Sequence, residues 1–153
     1  MLKVVVVGYG AMYANLIQGC LNSDVEIVGV FYDELIKNNP IKLFFKNIFN
    51  RSKEYSFSKS FNLNILKGKS VNSFKFQKQL LKLNPDIIFV GSWSEKFKDK
   101  TFNIPKIATI NIHPSLLPKY RGPNPYLQVI LNDEKETGVT FHIMDKNFDT
   151  GPI

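Results

Sequence analysis

Four consecutive valines, Val4–Val7, stand near the head of the chain and run into Gly8-Tyr9-Gly10. A strand with one wet face alternates apolar and polar residues. A strand that is apolar at every position is buried on both faces, which places it inside a parallel sheet covered by helices on either side. The rest of the chain follows that plan. Ala11–Leu21 reads as a helix with Met12, Leu16, Ile17 and Cys20 on one face. Val25–Tyr32 is a second strand and Asn62–Leu66 a weaker third. Phe74–Leu83 is a helix that Asn84-Pro85 ends. Asp86–Val90 and Ile107–Ile112 are two more strands, and Pro125–Leu131 is a short helix. In Thr137–Met144, Val139, Phe141 and Ile143 face one way and Thr140, His142 and Met144 the other. Strands alternating with helices predict an α/β fold with a mostly parallel sheet and helices on both faces. In such sheets the working crevice lies beyond the carboxyl ends of the strands.

The chain has 153 residues and 44% hydrophobic content, which suits one compact domain. Its longest apolar runs fall far short of the roughly 20 residues that a membrane span needs, so no membrane partner is expected. The start of the chain lacks the pattern of a secretory signal, and Cys20 has no second cysteine to pair with. A cytoplasmic protein is the expectation. A net charge of +7 favours an anionic partner. No CxxC or HxxxH spacing points to a metal.

Gly8-Tyr9-Gly10-Ala11-Met12-Tyr13 imitates the start of a dinucleotide fingerprint, with Asp33 and Glu34 placed to hold a ribose. The third glycine of that fingerprint is replaced by Tyr13. The alternatives are anion binding at the helix start or a plain strand-to-helix turn. Residues 33–61 interleave Lys42, Lys46, Arg51, Lys53 and Lys59 with Phe44, Phe45, Phe49, Tyr55 and Phe57. That mixture suits nucleic acid, or a helix and loop with a solvated basic face; the second reading is favoured.

The stretch Asn111-Ile112-His113-Pro114-Ser115-Leu116-Leu117-Pro118 lies at the carboxyl end of a predicted strand. An amide can hold a carbonyl oxygen, and an imidazole can move a proton or steady an oxyanion. Asp149 could orient that imidazole and favour its charged form. Pro114 and Pro118 stiffen the chain behind the pair. The competing reading is a strand end with a solvated histidine. His142, in mid-strand, reads as structural, and Cys20 as an inert packed thiol.

The string from Asn111 to Pro118, followed by Tyr120-Arg121-Gly122, resembles the signature of the folate-dependent formyltransferases. Glu136-Thr137-Gly138-Val139-Thr140 and Met144-Asp145 running on to Asp149-Thr150-Gly151 are similar to it as well. The likeness covers the chain from about residue 85 onward. It implies a Rossmann-like formyltransferase fold using 10-formyltetrahydrofolate, with no metal. By residue, it implies catalysis by Asn111, His113 and Asp149. Ser92, Trp93, Ser94 and the Ser115-Leu116-Leu117-Pro118 loop would hold the folate, and Gly10, Met12, Arg121 and Gly122 the acceptor side. An acceptor amine would attack the formyl carbon while Asn111 and protonated His113 stabilise the oxyanion. Arg121-Gly122-Pro123-Asn124-Pro125 most resembles members that act on initiator methionyl-tRNA. Members acting on nucleotide-linked amino sugars or on glycinamide ribonucleotide are the alternatives, with a small amine also open.

The family's domain continues beyond the point this sequence reaches, so residues 1–153 are expected to be one catalytic domain, incomplete at its C-terminal end. Two further readings stay open: a non-catalytic folate-binding module, and a small NAD(P)-dependent oxidoreductase. Missing cover over the sheet would leave apolar surface, which predicts poor solubility or a homodimer.

Overall fold

In the computed structural model, which describes residues 1–32 and 52–153, the valine run lies inside a five-stranded sheet. Strand β1 (Leu2–Gly8) pairs in parallel with β2 (Val25–Phe31) on one side and β3 (Ile87–Gly91) on the other. Strand β4 (Ala108–His113) is parallel to β3, and β5 (Thr140–Ile143) lies antiparallel at the far edge. The order across the sheet is β2-β1-β3-β4-β5. Val4 to Val7 have no exposed surface. Val5 and Val7 enter one apolar cluster with Phe76, Leu80 and Ile88; Val4 and Val6 enter another with Tyr13, Ile17 and Val30. The predicted burial on both faces is therefore how the sheet is built.

Helix α1 (Gly10–Leu21) covers the second of these faces. Its buried residues are Tyr13, Ile17 and Cys20, so its inward stripe is turned from the predicted one. Tyr13 takes the place given to Met12, and its hydroxyl is satisfied by Ser58 Oγ at 2.7 Å. Burial pushes the Tyr13 phenol far above its usual range. Helix α2 (Lys53–Ser60), capped by the Ser52 hydroxyl on the Tyr55 N–H, sends Tyr55 and Phe57 onto the same cluster and leaves Lys53 and Lys59 outside. There the basic and aromatic residues serve a packed helix with a solvated face. Lys42, Lys46, Arg51, Phe44, Phe45 and Phe49, with Asp33 and Glu34, lie outside the described residues.

Helix α3 (Phe74–Leu83) covers the other face through Phe76 and Leu80, one turn apart. It ends as expected, on Asn84 in the left-handed conformation before Pro85. A short helix, α4 (Asp99–Phe102), precedes β4, and α5 (Pro125–Leu131) follows it. The predicted third strand is not one. Asn62–Leu66 follows the outer edge of β2 and makes a single parallel bridge, Ile65 to Val30. Bonds from the Val30 N–H to the Asn64 carbonyl and from the Leu66 N–H to the Val30 carbonyl tie it there.

The chain reverses its direction of travel across the sheet between β1 and β3. Their last residues, Gly8 and Gly91, face each other in register. A Cβ on Gly8 would lie 2.3 Å from the Gly91 carbonyl oxygen, and one on Gly91 would meet Met12 Cγ at 2.5 Å. Two bare strand ends thus let α1 sit close and keep the crevice clear. Met12 packs over Gly91.

The β5 edge is less well covered. Phe141 and Ile143 on its outer face are exposed, as are Leu127, Ile130 and Leu131 on α5. Among the described residues no helix is long and apolar enough to cross a membrane. Two outcomes are expected. Gly8→Ala lowers unfolding free energy by about 1–3 kcal/mol, the usual cost of forcing extra volume into a packed site, measured by urea titration. The 153-residue chain self-associates through its apolar edge, so light scattering on a sizing column gives a mass above that of the monomer. A monodisperse monomer at tens of micromolar would refute that.

Candidate active site

Asn111 and His113 are two residues apart on β4 and therefore project from the same face, with buried Ile112 on the other. The antiparallel register sets His142 of β5 directly opposite Asn111, and Thr140 opposite His113. Beyond β5 the chain turns back. The Asp145 carboxylate accepts the Thr150 hydroxyl at 2.7 and 2.8 Å and the Asn147 N–H at 2.8 Å, closing an Asx-type loop. The Ile143 N–H then donates to the Pro152 carbonyl at 2.8 Å. A Cβ on Gly151 would lie 1.8 Å from the Ile143 carbonyl oxygen, so only glycine permits this return. The loop holds Asp149 at φ 52° beneath the two strand ends.

Asp149 is the hub. One carboxylate oxygen accepts from Asn111 Nδ2 at 3.0 Å and lies 3.3 Å from His142 Nε2. The other accepts from the Gly122 N–H at 2.8 Å and faces His113 Nδ1 at 3.5 Å. His113, His142 and Asp149 are all buried, at 4, 3 and 9% exposure. Burial pushes the Asp149 carboxyl up. The hydrogen bonds from His142 and Gly122, with the two imidazoles nearby, outweigh that and hold it below the usual carboxylate range.

Valence arithmetic assigns the hydrogens. A carboxylate only accepts, so the Asn111 atom beside Asp149 is the nitrogen. His142 Nδ1 is 3.1 Å from the Ile143 carbonyl and must donate to it. Its Nε2, 3.1 Å from Asn111 Nδ2 and 3.3 Å from Asp149 Oδ1, donates to the carboxylate when protonated and accepts the second amide hydrogen when neutral. His113 Nε2 donates to the Tyr120 carbonyl at 2.8 Å. The amide of Asn111 is thus pinned by Asp149 and His142 together. His142, read from sequence as structural, belongs to the constellation. Alternation had already put it on the Thr140 face; only the strand register shows that this face looks at Asn111.

These groups line a cleft of about 410 Å³, within the size of small-molecule sites. The loop after β3 forms one wall, with Ser92, Trp93 and Ser94 in the lining. Trp93 also packs on Phe31, ring centroids 5.6 Å apart. Its Nε1 is the one buried side-chain polar atom without a partner among the described residues. Asn72 anchors that wall by bonding Glu95, the Lys96 carbonyl and the Lys98 N–H; Glu95 also takes the Ser70 hydroxyl. Gly122 lines the cleft, as do Tyr9 and Phe148, which the sequence reading did not include.

Other expected site residues stand outside this lining. Ser115 is buried and donates to the Lys119 carbonyl at 2.7 Å. The Leu117 N–H donates to Thr140 Oγ1, while Leu116, Pro118 and Arg121 are exposed. Gly10, at φ 65°, gives its N–H to the Glu54 carboxylate at 2.9 Å. The helix start that could have held an anion therefore already holds one of the chain's own. With Tyr13 buried where a glycine was needed, this turn also argues against a dinucleotide.

Comparison with known proteins agrees with the geometry. The formyl transferase family model matches residues 2–153. The methionyl-tRNA formyltransferase of Kosmotoga olearia is 32% identical over 153 residues, covering 99% of this chain and 47% of its own length. The chain thus spans about half the length of that curated relative. Glycinamide ribonucleotide transformylase 1 from Symbiobacterium toebii superposes with a TM-score of 0.75 at 18% identity, over 99% of this chain and 70% of its own. A sugar N-formyltransferase from a Shewanella species superposes at 0.64 with 25% identity, over 99% and 54%. The chain, with Asn111, His113 and Asp149 gathered at the carboxyl ends of its sheet, belongs to the formyl transferase family.

Proposed function

We propose that the chain moves a formyl group from 10-formyltetrahydrofolate to an acceptor amine, with methionyl-tRNA as acceptor. The observation that carries the reading is the Asp149 carboxylate shared between Asn111 and the two imidazoles at the edge of the cleft. The acceptor rests on the full-span likeness to a methionyl-tRNA formyltransferase. An amino-sugar nucleotide is the second reading, supported by the sugar N-formyltransferase neighbour.

The cleft suits the donor. Its wall offers the half-buried indole of Trp93 for a flat ring. Ser92 to Phe97 would hold the folate there. Bound in this way, 10-formyltetrahydrofolate supplies the formyl carbon. Asn111 releases one of its two acceptors and donates to the formyl oxygen. His113, with its Nε2 hydrogen committed to Tyr120, works through Nδ1. Protonated there, it stabilises the charge growing on that oxygen. Asp149 holds the ring and receives the proton that the amine sheds, returning it to the departing nitrogen. The Asn111 and His113 side chains are both held in place by these bonds before the substrate arrives, so reorganisation is limited to the one hydrogen bond that Asn111 exchanges.

Two results are expected. His113→Ala and Asn111→Ala each lower kcat by about 10²–10³-fold with a smaller change in KM, since a lost oxyanion donor costs about 2.7–4 kcal/mol. This is read by chromatography of formylated methionyl-tRNA, with an amino-sugar nucleotide in parallel. Full transfer by His113→Ala would sink the assignment; saturable 5-formyltetrahydrofolate binding without turnover of any amine would make the chain a folate-binding module. The second concerns acid. The Asp149 carboxyl is depressed in the folded chain, so its contribution to stability is whole above the unfolded value of about 3.9 and is lost as pH falls through the folded one. Asp149→Asn therefore flattens the fall in stability below about pH 4, followed by circular dichroism in urea; an unchanged acid limb would contradict this.

A further inference from the structure

His113 has a second attachment, outside the cleft. Its Nε2 donates to the carbonyl of Tyr120 at 2.8 Å. Tyr120 sits at φ 58°, a left-handed conformation that a bulky residue seldom adopts without compensation. That conformation aims the carbonyl at the ring, and three bonds hold it. The Tyr120 hydroxyl donates to Glu134 Oε1 at 2.6 Å, and Lys119 Nζ donates to the same oxygen at 3.0 Å. The Lys119 carbonyl is held from the other side by the buried Ser115 hydroxyl at 2.7 Å. Glu134 follows α5, well away from the reacting groups in sequence, and its N–H is tied to the Val129 carbonyl at 3.1 Å. The Tyr120 hydroxyl and Lys119 draw the Glu134 carboxyl below its usual range, which keeps it ionised as the acceptor.

An imidazole has two nitrogens, and the bond made by one decides what the other can do. We propose that Tyr120 and Glu134 form a clamp that keeps the His113 proton on Nε2 committed to the Tyr120 carbonyl, leaving Nδ1, 3.5 Å from Asp149, as the nitrogen whose proton stabilises the growing charge during transfer. Both are positioning residues. The role given to Nδ1 rests on the reading of His113 as a reacting group; the hydrogen-bond geometry does not. Glu134 acts through Tyr120, and Tyr120 through its main chain, so removing the hydroxyl leaves the accepting carbonyl in place but frees the segment that aims it.

The test is long-range ¹H–¹⁵N correlation of the two histidine rings in the 153-residue chain, with His142 as internal reference. In the wild type the His113 Nε2–H is observed and exchanges slowly with water. In Tyr120→Phe and Glu134→Ala its exchange quickens about tenfold, the scale of one lost hydrogen bond, while the His142 signals stay in place. Glu134→Gln keeps an acceptor for the tyrosine and restores the slow exchange. Unchanged His113 signals in both damaging variants would overturn the proposal. So would equal changes at both rings, which would mean a general loosening of the fold. These readouts do not need turnover. If they come out as expected while His113→Ala still transfers formyl groups at full rate, the reading of the active site fails and the clamp geometry stands.

Discussion

Everything at the candidate site depends on keeping one carboxylate ionised away from water. A buried charge is costly unless its oxygens are occupied. Asp149 meets that condition with an amide from β4, a backbone N–H from Gly122 and two imidazoles, one from each of the last two strands. None of these partners is close to Asp149 along the chain apart from His142. The carboxylate therefore works as a fastener: it draws the ends of β4 and β5 and the loop before α5 toward one point. The same bonds that lower its proton affinity orient Asn111 and His113 toward the cleft.

The sheet supplies the rigidity this arrangement needs. Val4–Val7 are sealed between two apolar clusters, so the central strands cannot shift to accommodate a ligand. Glycines at the ends of β1 and β3 leave space where side chains would have filled the crevice. The wall that carries Trp93 is fixed by Asn72, whose side chain bonds three points on the loop after β3. Chemistry is thus placed on strand ends and on loops that are themselves anchored, the arrangement that holds a reacting geometry most closely.

Several features were legible in the residues because they depend on local rules. The valine run demanded burial on both faces, and the end of α3 followed from Asn84 and Pro85. The NxHxSLLP string pointed to its family through residue identity and spacing. Other features were not legible. Asn62–Leu66 has strand-like residues but lies beside β2 with only one bridge, because strand formation depends on what a partner edge offers. The inward face of α1 was turned by one position, since Tyr13 found a hydroxyl partner in Ser58, 45 residues away. The SLLP loop lies outside the lining of the cleft, a placement that spacing does not carry.

By itself the sequence determined the layered α/β plan and the family, and it singled out Asn111, His113 and Asp149 as candidates for the chemistry. These follow from side-chain type, periodicity and motif, all of which are properties of neighbours along the chain. Only the tertiary structure decided that His142 faces Asn111, that the Glu54 carboxylate occupies the first helix's leading N–H, and that Tyr120 reaches back to His113. Each of these is a contact between segments whose separation in sequence says nothing about their register in space. Strand pairing and loop return set that register, and a shift of one residue in either would have turned the same side chains away from one another.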